Sequence, residues 1–335
     1  MANTEEKPQE QRKLTPEEAQ ALLDGSNRQH SEALGMPWAV LLGGDPRKIM
    51  NQVIGTCVSA GGTRPAWRFT VKGTEFVLMA WPQDEPCRAA VLMAGEPGGK
   101  LKPVDAFPLL QGLPNDLVIE DVHPWKAGHG ANVAATMLEG RNPMWFYDPL
   151  YERDHDDLTP GVTQTFLLAG LAFSVRKALI DELSITRGPA FENHAEEWLN
   201  AHPGKGRLDV PPLKISLVGR YIIMPGRAFD EYQVRGRVER VDDAKLDKME
   251  VKILYVRFPF EDRPGMQLPI YCAKTVLKDY EPKVGDEIDA YVWLQGRVID
   301  AVEAEQYAED LAAAQGAAPR DAGLGAVPEH RNPLQ

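Results

Sequence analysis

The sequence predicts an α+β protein, in which a β-rich N-terminal domain with a buried helix precedes a small antiparallel β-barrel. Two observations lead to this fold class. Apolar and polar residues alternate with period two at both ends of residues 232–299, as they do in strands with one buried face. Short apolar segments, separated by turns rich in Gly, Pro and Asn, fill residues 67–147, which is the pattern of a meander of strands.

The composition is that of a globular protein long enough for two domains. The chain has 335 residues, of which 43% are hydrophobic and 26% charged, and a net charge of −12. This charge opposes tight binding to duplex DNA, because phosphate neutralisation needs a basic face. Three distant cysteines without a CxxC pair predict buried free thiols. The polar N terminus and the lack of a long apolar run predict a cytoplasmic protein without a membrane segment.

The N-terminal elements are predicted from caps and periodicity. Thr15 is a suitable N-cap for a short helix that reaches Leu23, and a short apolar strand is expected over Trp38–Leu42, followed by a helix over Arg47–Cys57. Alternation on both sides of Gly73 predicts a hairpin. Its strands, and the further predicted strands, are Trp67–Val71, Glu75–Trp81, Ala89–Met93, Leu117–Val122, Asn132–Met137 and Pro143–Tyr147.

A different pattern follows the meander. Gly161–Ile180 is apolar around small residues, and the basic Arg176 and Lys177 come only near its end, where they suit a helix dipole. We expect a largely buried helix that packs on the meander. A second, shorter helix is expected over Phe191–Ala201, where Pro203 and Gly204 end it.

The C-terminal segment divides into strands and turns. In order, these are a strand at 232–241, a charged turn at 242–248, strands at 250–258 and 266–273, a short helical connection at 275–280, and a final strand after the turn at 283–286. With Gly236 bending the first strand and the turn Val284-Gly285-Asp286 before the last, the segment resembles the oligonucleotide/oligosaccharide-binding (OB) barrel. The resemblance covers about seventy residues, about a fifth of the chain, and concerns architecture rather than a family with one activity.

These elements give a predicted domain plan, and no internal repeat of fixed period is evident. Whether the apolar segment Leu213–Met224 belongs to the barrel or bridges the domains stays open. The plan consists of a disordered tail at 1–14, an α+β domain at 15–203, a linker or bridging strand at 204–230, an OB-like barrel at 231–300, a helix at 301–314 and a disordered tail at 315–335.

Aromatic and cationic residues of the predicted strands are the candidate binding residues, since bases stack on aromatic rings and aromatic residues also dominate protein interfaces. Residues 231–300 contain 12 Lys and Arg against 14 Asp and Glu, a net charge of −2, so there is no net basic field for nucleic acid. A protein partner is therefore preferred to single-stranded nucleic acid. The candidates are Arg235, Arg237, Tyr255, Arg257, Tyr291 and Trp293 in the barrel, and Trp145 and Tyr147 in the first domain.

The richest polar cluster of the first domain is Asn142–Asp157. Asp148, His155, Asp156 and Asp157 are residue types that bind divalent metal, and Glu120, Asp121, His123 and His129 precede them. The spacing matches no metal motif, so a solvated acidic loop is the plainer interpretation. The sequence therefore predicts a non-catalytic binding or adaptor protein without a cofactor. The alternative is a divalent-metal-dependent hydrolase that uses the Asp148–Asp157 region.

Overall fold

A computed structural model describes residues 28–43, 51, 54–56, 65–137, 143–260, 263–305 and 307. The predicted helix at Thr15–Leu23, most of the predicted helix at Arg47–Cys57, and the predicted tails lie outside these residues. The predicted helix at 301–314 is helical at 301–305 and 307, and its other residues lie outside them as well. Within the described residues, no helix is both long and apolar enough to cross a membrane.

The first layer is a four-stranded antiparallel sheet with the strand order β1-β2-β3-β4. It contains the predicted hairpin, with Val71 opposite Thr74 at the turn. Helix α1, Gly35–Leu42, lies at its face, and the indole of Trp38 donates a hydrogen bond to Ala106 at 3.4 Å. The strands are β1 Trp67–Val71, β2 Thr74–Trp81, β3 Cys87–Gly95 and β4 Lys102–Leu110.

The strand predicted over Trp38–Leu42 is therefore wrong, because these residues belong to α1. Pro37 sits in the first turn of this helix, where its missing amide costs no helical hydrogen bond. The run is apolar on several sides because Trp38 and Leu41 enter the core between the helix and the sheet. A short apolar run of this kind has no periodicity that separates strand from helix.

The second layer is a nine-stranded mixed sheet. Its N-terminal strands are β5 Leu113–Pro124, β6 Ala131–Thr136, β7 Met144–Asp148 and β8 Thr163–Lys177, with helix α2, Tyr151–Asp154, between β7 and β8. Its C-terminal strands are β11 Ile222–Pro225, β12 Glu231–Leu246, β13 Met249–Phe260, β14 Arg263–Ala273 and β15 Glu287–Val298, with helix α4, Lys274–Leu277, between β14 and β15.

The buried helix predicted over Gly161–Ile180 is wrong, since this segment contains the 15-residue strand β8. Every residue of Phe166–Ala172 is buried, because β8 is covered on both of its faces. A strand buried on both faces shows no alternation and reads as a continuous apolar run. The small residues that suggested helix packing instead allow close approach, and a Cβ at Gly170 would lie 3.6 Å from Leu294 and Val292 of β15.

Strands β8 and β15 belong to two closed circuits of strand pairing. One circuit, here called ring A, runs β5-β6-β7-β15-β8 and returns to β5. The other, ring B, runs β12-β13-β14-β8-β15 and returns to β12. In each ring one contact is parallel, β7 with β15 in ring A and β14 with β8 in ring B. The segment predicted as a barrel thus gains β8, from the N-terminal half of the chain, as its fifth strand.

The two rings correspond at one turn and at the strand residue that this turn contacts. Ile119 of β5 and Val238 of β12 each lie next to a register shift in the pairing with the following strand. Their carbonyls accept hydrogen bonds from the amides of Gly161 and Gly285, at 2.7 and 2.8 Å. Both glycines have positive φ, 84° and 91°, which glycine adopts most readily. The same turn therefore precedes both β8 and β15.

Each unit consists of three strands, a short helix and a fourth strand, and the fourth strand closes the other unit's ring. β8 and β15 are antiparallel, with Gly170 opposite Leu294 near the centre of the pairing. The corresponding positions are 119 residues apart at Ile119 and Val238 but 124 apart at the two turn glycines. The structural repeat therefore has no fixed sequence period, and loops of unequal length separate its strands.

An excursion separates the two units. It contains strand β9 Glu182–Ile185, helix α3 Pro189–Ala201 and strand β10 Leu213–Ser216, which forms a two-stranded sheet with β9. The helix predicted over Phe191–Ala201 is confirmed by α3. The apolar segment Leu213–Met224 is divided between two sheets, because β10 pairs with β9 whereas β11 pairs with β12 at the edge of the large sheet.

Two apolar cores result from this arrangement. Alternate residues of the ring strands fill the rings' interiors, among them Leu117, Phe146, Leu168, Leu254, Ile270 and Leu294. The other alternate residues pack outward against the four-stranded sheet, in a core that includes Leu92, Phe107, Tyr147, Leu171, Tyr271 and Trp293. The four-stranded sheet thus covers the outer face at the junction of the two rings.

Candidate functional site

Three of the predicted binding residues lie in the interior. Tyr147, Trp293 and Arg235 are 0%, 3% and 4% exposed. The rings of Tyr147 and Trp293 are 5.6 Å apart in the core beneath the four-stranded sheet. Arg235 donates to the carbonyl of Ile180 at 2.7 Å and lies 3.4 Å from the carboxylate of Asp289. None of these three side chains is displayed to a partner. The four-stranded sheet covers Tyr147 and Trp293, and the segment that contains Ile180 covers Arg235, which alternation had placed on the outer face of β12.

Three of the other barrel candidates are engaged within the chain, and the fourth, Arg237, is exposed. Tyr255 lies beneath the guanidinium of Arg240, 3.6 Å from the ring centroid. Arg257 lies 3.3 Å from the carboxylate of Glu239. The hydroxyl of Tyr291 accepts a hydrogen bond from the Arg227 amide at 3.0 Å and donates one to Glu231.

The acidic segment after β7 forms a structural ion network. Asp148 and Asp154 are buried, at 0% and 3% exposure. Asp154 pairs with Arg153 and accepts the amide of Val298 at 3.1 Å, while Arg153 donates to the Val298 carbonyl at 2.7 Å. Burial, together with Asp154, holds the pKa of Asp148 well above its usual range, which favours its neutral form. These contacts fasten α2 to the end of β15.

The arrangement gives the metal-dependent hydrolase no support. His155 lies 3.2 Å from Asp156, whereas His123 belongs to β5 and His129 pairs with Glu152 at 3.0 Å. Across the part of the chain that the structure describes, no group of three or more His, Cys, Asp or Glu side chains could hold a metal ion.

A cluster of stacked rings lies at the surface beside β5 and β7. The imidazole of His30 is sandwiched between the rings of His123 and Phe229, with centroids at 3.8 and 4.3 Å and interplanar angles of 8° and 21°. Trp145 meets the edge of His30 at 4.8 Å and also contacts Phe229 at 5.1 Å. Of the predicted binding residues, only Trp145 belongs to this cluster.

Residues 28–34, here called the strap, carry His30 to the cluster. Gln29 forms a parallel bridge with Ala228, and its carbonyl accepts the amide of Phe229 at 3.1 Å. Arg28 donates to the carbonyl of Ala228 at 3.0 Å and to that of Phe229. Its guanidinium lies 5.1 Å from the Phe229 ring centroid and 5.0 Å from that of Tyr232.

Glu32 fastens the other end of the strap. Its carboxylate accepts the amide of Lys126 at 3.0 Å and lies 3.4 Å from the Nε2 atom of His123. Burial acts to raise the pKa of Glu32, but the Lys126 amide and His123 outweigh it and lower that pKa. Burial and the neighbouring His123 lower the pKa of His30 below 6.5, so His30 is mainly neutral at pH 7.

A buried network of hydrogen bonds around Asp230 lies next to the ring cluster. The carboxylate of Asp230 accepts hydrogen bonds from the indole of Trp293 at 2.8 Å and from the amide of Asn132 at 3.3 Å. Asn132 accepts a third from the indole of Trp125 at 2.7 Å. Burial raises the pKa of Asp230 to about 6. Asp230 is therefore a buried carboxyl whose charge in the folded state changes near pH 6.

Local sequence patterns do not identify most of this cluster. His30 and Phe229 are 199 positions apart and belong to segments without regular secondary structure. Only Trp145 and His123 were recognisable by residue type. The strap and the segment around Ala228 meet because the fold brings the end of β5, the start of β7 and the start of β12 close together, which no local pattern encodes.

Comparisons with known proteins offer no relative from which a role could be transferred. No family model matches the chain, and no curated protein or solved structure matches it either.

Proposed function

We propose that the protein is a non-catalytic binding or adaptor protein, and that ring B is an OB-like barrel that contacts a protein partner. The five strands of ring B, with a short helix before β15, support the OB-like assignment. OB barrels bind ligands on one sheet face and its loops. In ring B the outward residues Val251, Ile253 and Tyr271 of that sheet are buried against the four-stranded sheet. Single-stranded nucleic acid could stack on this face only if the four-stranded sheet were removed, so a protein contact elsewhere on the molecule is favoured.

An exposed apolar surface carries the proposal. It lies where the excursion joins ring B, and we call it the arm surface. The amide of Leu217 donates a hydrogen bond to the carbonyl of Asp181 at 2.8 Å, which joins the two chain segments of this surface. Tyr221 packs on Phe258 of β13. Contiguous exposed apolar side chains mark protein interaction sites in soluble proteins. The members are Leu179, Ile180, Leu183, Val218 and Tyr221, which are 75%, 47%, 42%, 59% and 36% exposed.

The test is affinity capture with the arm surface altered. We expect the wild-type chain to retain a protein partner, and Leu179→Lys with Val218→Lys to lower its recovery at least tenfold, because two charges would have to be buried at the interface. Leu208→Lys is the matched control, since Leu208 is fully exposed and apolar but outside the arm surface. Equal recovery by the double variant would contradict the proposal. Fluorescence anisotropy with a labelled single-stranded nucleic acid tests the other partner class. Binding at tens of micromolar protein would support a nucleic-acid partner instead.

A further inference from the structure

We infer that the surface beneath the strap is a recognition site for an extended peptide with the pattern Arg-x-His-x-Glu, and that residues 28–32 fill it in cis. A partner segment with an Arg, a planar ring and an acid at alternate positions would compete with the strap. The inference rests on the proposed role in protein binding, but it concerns a surface separate from the arm surface.

The central position of the pattern is specified by a slot for one aromatic ring. His123 and Phe229 lie on opposite faces of His30, and Trp145 closes its edge. Ring separations of 3.8 and 4.3 Å leave space for a single flat ring between the two walls. His123 and Trp145 belong to β5 and β7, and Phe229 precedes β12, so the strap supplies the ring that fills the slot but none of its walls.

The first position is specified by a pocket for a guanidinium. Backbone carbonyls of Ala228 and Phe229 accept from Arg28, and the faces of Phe229 and Tyr232 flank it. A planar guanidinium combines several donors with a face that stacks on aromatic rings, whereas an ammonium lacks this shape. Exposed Glu120 and Asp121, on the same strand as His123, favour a cationic segment and disfavour a phosphate backbone.

The spacing is specified by extended backbone. Gln29 bridges Ala228 in parallel and its own side chain is exposed, so Arg28 and His30 point to the same side, as alternate residues of a strand do. Glu32 continues the alternation and reaches the Lys126 amide. Main-chain pairing combined with pockets for alternate side chains is how sheet edges recognise extended peptides.

The strap has the features of a bound segment rather than of a core element. None of residues 28–34 is fully buried, and within the strap only Gln29 takes part in β-bridge pairing. Residues 28–32 are attached by three side chains, those of Arg28, His30 and Glu32, and by one bridge, while Leu34 packs against the core beside α1. Because it is tethered, its effective concentration is on the order of millimolar, so an outside peptide must compete with it.

The test uses the full chain and a fluorescent peptide of residues 28–34. In the Arg28→Ala/His30→Ala variant the cis strap loses two anchors, so we expect the peptide to bind at least tenfold more tightly than to the wild type. Phe229→Ala, added to this variant, should abolish binding, and a peptide with Ala at both anchor positions should not bind. Adding Leu179→Lys and Val218→Lys instead should leave peptide binding unchanged, which separates this site from the arm surface.

The wild-type chain supplies a second readout that needs no substitution. Saturating peptide should displace the strap and speed amide hydrogen exchange at residues 28–34, while exchange in β8 and β15 stays unchanged. The inference is overturned if the folded double variant binds the peptide no better than the wild type. Strap exchange that does not respond to the peptide would overturn it equally.

Discussion

Replacing Gly112 by Ala is expected to destabilise the fold by about 3 kcal/mol, through a clash that neither strand can relieve. Gly112 immediately precedes β5, where β5 begins to pair with β8. A Cβ there would lie 2.4 and 2.6 Å from the carbonyl carbon and oxygen of Leu167, and 2.7 Å from the amide nitrogen of Leu168. All three atoms belong to the backbone of β8, so no side-chain rotation can make room. The pairing that closes ring A would have to separate.

Urea unfolding of the two proteins measures this difference directly. Gly206→Ala is the control, because its Cβ would meet only a carboxylate oxygen of Asp209, at 3.9 Å, and should change stability by less than about 0.5 kcal/mol. An unchanged midpoint for Gly112→Ala would mean that β5 does not approach β8 as described.

Replacing Asp230 by Asn is expected to stabilise the protein at pH 8 by up to about 3 kcal/mol. Burial raises the pKa of Asp230 from 3.8 to about 6, so the folded state favours the protonated carboxyl. Its contribution to stability is fully present below about pH 4 and is lost as the pH rises through about 6. The amide is neutral at every pH, and its oxygen can still accept from Trp293 and Asn132.

The measurement is the free energy of unfolding of both proteins between pH 4 and pH 8. The advantage of the Asn variant should grow with pH and vanish near pH 4. Asp230→Ala separates charge from hydrogen bonding, because it leaves the Trp293 indole without its acceptor and should destabilise the protein at pH 4. A pH-independent difference between Asp and Asn would show that Asp230 is not buried as described.

Local patterns predicted the elements whose structure is determined locally. The hairpin around Gly73 follows from alternation and a residue that adopts positive φ, and it forms as expected. The strand order of residues 232–299 is also as expected. Strand β8 was mistaken for a helix because it is covered on both faces, which removes the period-two signal that identified its neighbours.

The exchange of strands between the two units could not be predicted, because it depends on contacts between distant segments. Gly161 and Gly285 occupy the same turn in two contexts, but the aligned residues Thr159-Pro160-Gly161-Val162 and Lys283-Val284-Gly285-Asp286 have only the glycine in common. The four-strand unit requires burial of its apolar residues and a fixed turn geometry, and many different apolar residues meet these requirements. The ring cluster shows the same limit, since Trp145 was identified by its type but its partners His30 and Phe229 come from remote segments.

The arm surface and the strap site both depend on β8 and β15 closing each other's rings, because this exchange fixes the positions of β5, β7 and β12. Nuclear Overhauser contacts between backbone amides test it most directly. The structure predicts contacts from the middle of β8 to both β15, around Gly170 and Leu294, and β14, around Ile270. Sequential amide contacts typical of a helix along residues 163–177, without contacts to β14 and β15, would contradict it.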